Sequence, residues 1–126
     1  MTRLLLDTHA VLWWLLGSDK LSQAAREAIS VPASTIYVSA ASGYEIIYKQ
    51  GLGKLPADLP ELEPALLSQR FLVLPVTLNH MTAAARLPKP HRDPWDRIIM
   101  AQALTEGLTV VTIDPVFSDY GGPVLW

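Results

Sequence analysis

The sequence predicts an α/β fold with a mainly parallel central sheet covered by helices on both faces. Three observations carry that expectation. Short strand-like runs alternate with helix-length segments along the chain, the order produced by successive strand–helix units. The runs at 2–6, 35–38 and 109–113 are apolar, β-branched or aromatic, as buried strands are. Half of the 126 residues are hydrophobic, enough for a sizeable core, and the length suits one domain over residues 1–126.

Residues 2–6 read as the first strand, ending at Asp7. Residues 8–16 are apolar and of helical length, with Gly17 as their stop. Leu21, Ala25, Ala28 and Ile29 share one side of a second helix over 21–29, capped by Ser18 or Asp19 and halted by Pro32. The second strand covers 35–38, and a helix over 39–50 closes at Gly51 and Gly53. Pro56, Pro60 and Pro64 make 55–63 the loosest stretch, before a short helix at 63–69. A third strand at 71–74 precedes a helix over 79–87 with Asn79 as its cap. After a polar loop comes a helix over 94–106, with Pro94 in its first position and Gly107 past its end. The strand at 109–113 follows, then a Gly121-Gly122 turn and a short strand at 124–125.

The composition excludes several chemistries. Without cysteine there is no disulfide, no zinc–thiolate site and no thiol nucleophile, which is compatible with the cytoplasm. His9, His80 and His91 have no metal-binding spacing. Asp7 and His9 interrupt the apolar N-terminal run, so it reads as neither signal peptide nor membrane span, and the chain is expected to be soluble. The formal net charge of −2 lacks the basic excess usual in a nucleic-acid binder. Such a substrate would need a local arrangement of basic residues, a metal or a second subunit.

In a parallel α/β sheet, ligands bind at the carboxyl ends of the strands. Asp7 ends the first strand and Asp114 ends the strand at 109–113. Asp96 lies in the first turn of the helix leading into that strand, and a crossover helix starts from the same edge. Glu45 lies about 9 Å along the helix after the second strand. Asp93 is a fifth carboxylate nearby, and Arg92 and Arg97 flank it as candidate phosphate contacts. Carboxylates gathered in an apolar pocket stay ionised together only beside a cation. Hard oxygen donors select Mg²⁺ or Mn²⁺. Such a site suits hydrolysis of a phosphodiester without a protein nucleophile.

Each residue also has an ordinary structural reading. Asp7 can cap the helix at Thr8, and Asp93 can cap the helix that begins at Pro94. Glu45 can pair with Lys49 or form a capping box with Ser42. Asp96 suits the helix dipole, and Asp114-Pro115 can start a turn. Arg97 can pair with Asp93, and His91 can simply be exposed. Shared placement at one edge is what favours a site.

Four segments resemble, in order and at similar intervals, the motifs of PIN-domain toxins of the VapC kind. They are Leu4-Leu5-Leu6-Asp7-Thr8-His9-Ala10-Val11-Leu12-Trp13, then Ser39-Ala40-Ala41-Ser42-Gly43-Tyr44-Glu45-Ile46 with Gly51-Leu52-Gly53-Lys54-Leu55 behind it. The third runs from His91-Arg92-Asp93-Pro94-Trp95-Asp96-Arg97 to Ala103, and the fourth is Thr112-Ile113-Asp114 with Phe117 and Tyr120. Two departures are Gly43-Tyr44, where larger residues and often tryptophan are usual, and Trp95, where phenylalanine is common. The resemblance implies a three-layer α/β/α sandwich and Mg²⁺-dependent RNA cleavage. It implies metal ligands at Asp7, Glu45 and Asp96, with Asp114 as a less uniform fourth and Asp93 assisting. It also implies a homodimer and inhibition by a VapB-like antitoxin.

Two rival readings make different demands. A phosphoacceptor receiver-like domain would need an aspartate ending the third strand, where Pro75 follows Leu74. A catalytically silent scaffold of the PIN type would bind a partner without needing its acids. The adjacent Trp13 and Trp14, the first helix and residues 55–64 are expected to supply apolar surface for partners.

Overall fold

The computed structural model describes residues 2–88 and 93–126. Its strands are β1 (Arg3–Leu6), β2 (Thr35–Ser39), β3 (Leu72–Leu74), β4 (Thr109–Val111) and β5 (Val124–Leu125). Its helices are α1 (Thr8–Leu16), α2 (Gln23–Ser30), α3 (Ala40–Gly51), α4 (Leu62–Ser68), α5 (Leu78–Arg86) and α6 (Pro94–Glu106), with a 3₁₀ helix at Pro115–Tyr120. The strands form one parallel sheet in the order β3-β2-β1-β4-β5.

Side-chain alternation along β1 builds the three layers. Leu4 and Leu6 pack with Ala10, Val11, Ala25, Ile46 and Leu66 from α1–α4. Leu5 points the other way, onto Ile99, Met100 and Ala103 of α6. All three leucines have no exposed surface, so truncating one to alanine costs about 2–5 kcal/mol. The α/β/α sandwich expected from the sequence is therefore the observed fold. The chain leaves β1 toward β2 on one side, while β4 pairs on its other side. That reversal opens a crevice at the carboxyl ends of β1 and β4.

Three helix starts show how local chemistry sets boundaries. α2 begins later than expected, because Ser22 rather than Ser18 or Asp19 accepts the Ala25 amide. Ser18 Oγ instead accepts the Lys20 amide in the preceding turn. α5 is capped by Thr77 and not Asn79. Thr77 Oγ1 accepts the His80 amide and His80 Nδ1 accepts the Thr77 amide, a capping box with histidine in the usual Glu/Gln place. α6 starts as expected, with Asp93 accepting the Trp95 amide and Pro94 at the first position. The strand at β4 is shorter than expected, since Thr112 and Ile113 lie beyond its sheet pairing and Ile113 is exposed.

Candidate functional site

The acids reach the crevice by different routes. Asp7 leaves the end of β1 and is buried at 6% exposure. Its Oδ1 accepts the Ala10 amide at 2.8 Å and caps α1, as its structural reading expected. Burial pushes its carboxyl above the usual carboxylate range, since an ion there loses hydration. A hydrogen bond from the Thr112 side chain, the Ala10 amide and nearby His9 pull the other way, while the charge of Asp96 adds to the rise. Asp96, half-buried in the first turn of α6, is thus electrostatically joined to Asp7.

Glu45 stands on α3, where the Thr8 hydroxyl lies 3.2 Å from its Oε1 and 3.0 Å from Ser42 Oγ. Its other oxygen meets Lys49 Nζ at 2.8 Å. Glu45 therefore makes the expected pair with Lys49, while Ser39 rather than Ser42 caps α3, and its Oε1 is tied to Thr8, the residue after Asp7. Asp114 accepts the Val116 amide and opens the 3₁₀ helix. Its own amide donates to Thr112 Oγ1 at 3.0 Å. Thr112 therefore bridges Asp7 and Asp114.

Asp93 is exposed at the tip of α6 and serves as its cap. Arg92 and His91 lie outside the described residues. Arg97 is a correction to the expected phosphate contact. Its guanidinium donates to the carbonyls of Ala84, Leu87 and Pro88 at 2.7–2.8 Å. It clamps the carboxyl end of α5 to α6, stabilising carbonyls that the helix leaves without intrahelical partners.

The two departures in the motifs meet one another. The Tyr44 ring packs on Trp95 at 5.5 Å between centroids and stacks on Tyr48 at 5.9 Å. These rings hold α3 against the start of α6, the two helices that carry Glu45 and Asp96. Gly43 is not required by space, as an added Cβ would meet Leu62 at an ordinary 3.8 Å.

The apolar surface also falls elsewhere than expected. Trp13 is covered by His9 and Trp126, and Trp14 by Phe71, with its Nε1 donating to Gln69. The exposed apolar residues of this region are instead Tyr44, Ile47, Tyr48 and Leu52 on and just after α3. Thr8, Ser42 and Thr112 form hydrogen bonds around the candidate acids that the sequence reading missed. A hydroxyl beside or two residues before a strand-end aspartate was the available signal.

A hard divalent cation fits the donor chemistry, because the acids offer only carboxylate oxygens and Asp7 carries a poorly compensated buried charge. Among the described residues, no three acid or histidine side chains are drawn close enough to form a ready cage. Glu45 is held toward Lys49 and Thr8 instead.

A parallel sandwich with acids around this crevice is the architecture of a PIN domain, and the family model of that name matches residues 4–123. The chain belongs to the PIN-domain family. It is 32% identical over 116 residues to Ribonuclease VapC22 of Mycobacterium tuberculosis, covering 90% of this chain and 88% of that protein. Among solved structures it is similar to VapBC2 from Rickettsia felis bound to a promoter DNA fragment, with TM-score 0.74, 16% identity and 98% of each chain covered. It is also similar to DNA-bound VapBC from Salmonella typhimurium, with TM-score 0.72, 22% identity and coverage of 99% and 98%. Membership of this family removes the receiver-like reading. Among the described residues, no helix is long and apolar enough to cross a membrane.

Proposed function

We propose that the chain is a divalent-cation-dependent endoribonuclease, the toxin of a VapBC-type toxin–antitoxin pair acting in the cytoplasm. The observation that carries this reading is the buried Asp7 at the β1/β4 crevice, its carboxyl raised further by Asp96. Family membership and the relative named a ribonuclease support it. Asp7, Glu45 and Asp96 would hold Mg²⁺ or Mn²⁺, with Asp114 as a further donor and Asp93 at most assisting. Bound there, the cation makes water more acidic and offsets charge developing on the phosphodiester oxygens. The chain's own contribution is orientation. Thr8 holds Glu45, Thr112 holds Asp7, and the Tyr44–Trp95 contact fixes the spacing of α3 and α6.

The partners follow the same reading. A VapB-like antitoxin would inhibit cleavage by covering the acidic edge; that such a partner exists is supported by the VapBC structures that share the fold. A homodimer would bury the α3 stripe of Tyr44, Ile47, Tyr48 and Leu52, and light scattering across a concentration series checks it.

The function is tested with purified chain and RNA. Cleavage is expected with Mg²⁺ or Mn²⁺ and should vanish in EDTA. Full activity in EDTA with trace metal excluded would refute the mechanism.

Thr112→Val is expected to lower cleavage by about 10–100-fold, the usual effect of removing a group that orients a metal ligand. The Thr112 hydrogen bond lowers the Asp7 pKa, so its loss should move the acid limb of the rate profile to higher pH. An unchanged rate and profile would show that Thr112 positions nothing.

A further inference from the structure

A second feature adjoins the acidic edge. A cleft of about 490 Å³ opens beside Glu45, lined by His9, Trp13, Lys20, Lys49 and Lys54 among others. The volume lies within the range of small-ligand sites. The chain has four lysines, and three of them line this one cleft. Among the described residues that line it, Glu45 is the only acid. A protein of net charge −2 thus carries a locally cationic groove, and Lys49 links it directly to Glu45 at 2.8 Å. On the other wall, the exposed His9 ring stacks on Trp13 with centroids 5.4 Å apart and planes 23° from parallel. Trp126 braces Trp13 edge-on at 5.7 Å.

Aromatic faces and ammonium groups lining one cleft are the two elements that bind single-stranded nucleic acid without base-pair geometry. We propose that this cleft is a subsite for the RNA segment flanking the bond to be cut. One base stacks on the His9–Trp13 pair, and adjacent phosphates are held by Lys20, Lys49 and Lys54. The proposal deepens the ribonuclease reading and rests on it. Continuity with Glu45 and Thr8 favours RNA over an acidic peptide, because a strand cleaved at the acidic edge must leave that edge along a neighbouring surface.

The test separates the subsite from the chemistry. Binding of a short, unstructured, fluorescein-labelled RNA is measured by anisotropy in EDTA at several salt concentrations. Cleavage is assayed separately with Mg²⁺. Lys20 and Lys54 are exposed, so Lys20→Gln/Lys54→Gln should keep the wild-type melting temperature. It should bind more weakly, with the slope of log Kd against log salt reduced by about 1.4, or about 0.7 per lost phosphate contact. His9→Ala should weaken binding about fivefold or more at an unchanged slope. Unchanged affinity and slope in both variants overturn the subsite, even if the wild type cleaves RNA. Loss of binding in the variants, with no cleavage by the wild type under any cation, upholds the RNA cleft and rejects the chemistry. If the double variant loses affinity for an oligoglutamate peptide but keeps RNA binding, the cleft serves a protein partner and the proposal fails.

Discussion

Asp7→Asn is expected to lower RNA cleavage at least about 100-fold while leaving the chain folded. Loss of a residue that merely orients a ligand typically costs about 10–100-fold, and Asp7 would itself be a ligand. Asparagine retains a side-chain oxygen for the Ala10 amide, so the α1 cap survives. Metal-free stability should move the opposite way from activity. Desolvation is the main cause of the raised Asp7 pKa. The folded chain therefore holds the Asp7 proton at pH values where the unfolded chain has released it. Stability from this group is fully present below the unfolded-chain aspartate pKa of about 3.9 and is lost as pH rises through the higher folded value. At neutral pH the wild type bears that penalty and the Asn variant does not, so the variant should melt at a higher temperature without metal. Mg²⁺ should stabilise the wild type more than the variant. Calorimetry with and without Mg²⁺, beside the cleavage assay, checks all three expectations. A variant that cleaves normally would remove Asp7 from the site.

The pattern of elements was legible because it depends on short-range chemistry. Pro94 and Asp93 announce the start of α6, and Gly17 and Gly107 close α1 and α6 with positive φ. The cap of α2 was less legible: Ser18 and Asp19 were the candidates, while Ser22, with the same side chain as Ser18, does the capping. Only the turn at 18–21 decides which serine faces α2. The acids at the carboxyl edge were legible through the fold rule, whereas their supports were not. Thr8 reaches Glu45 across 37 residues and Thr112 reaches Asp7 from the other end of the chain, so their places beside Asp7 and two residues before Asp114 are the only local hints. Arg97 looked like a phosphate contact because it flanks acids. Only tertiary packing brings the carboxyl end of α5 within its reach. The gathering of lysines at one cleft was invisible for the same reason. Lys20, Lys49 and Lys54 are scattered in sequence, and the net charge hides their convergence.

Asp96→Asn and Asp93→Asn should separate sharply although the two residues are three apart on one helix. Asp93 is exposed, and its carboxylate caps α6 through the Trp95 amide. Asparagine caps nearly as well as aspartate, so Asp93→Asn should change cleavage by no more than about threefold. Asp96 faces inward, half-buried, and its charge reaches Asp7. Asp96→Asn should therefore cost at least about 100-fold, on the same comparison with ligand-orienting residues. It should also have a signature that a general loss of structure would not produce. Removing the Asp96 charge takes away one cause of the raised Asp7 pKa, so the Asp7 carboxyl should titrate at lower pH in metal-free Asp96→Asn than in the wild type. Carbon-detected NMR of the Asp7 carboxyl reads this directly, and Asp93→Asn serves as the control that leaves it unmoved. Equal losses in the two variants, or a larger loss in Asp93→Asn, would show that the site extends to the tip of α6 and that Asp93, rather than Asp96, is the donor of the third motif.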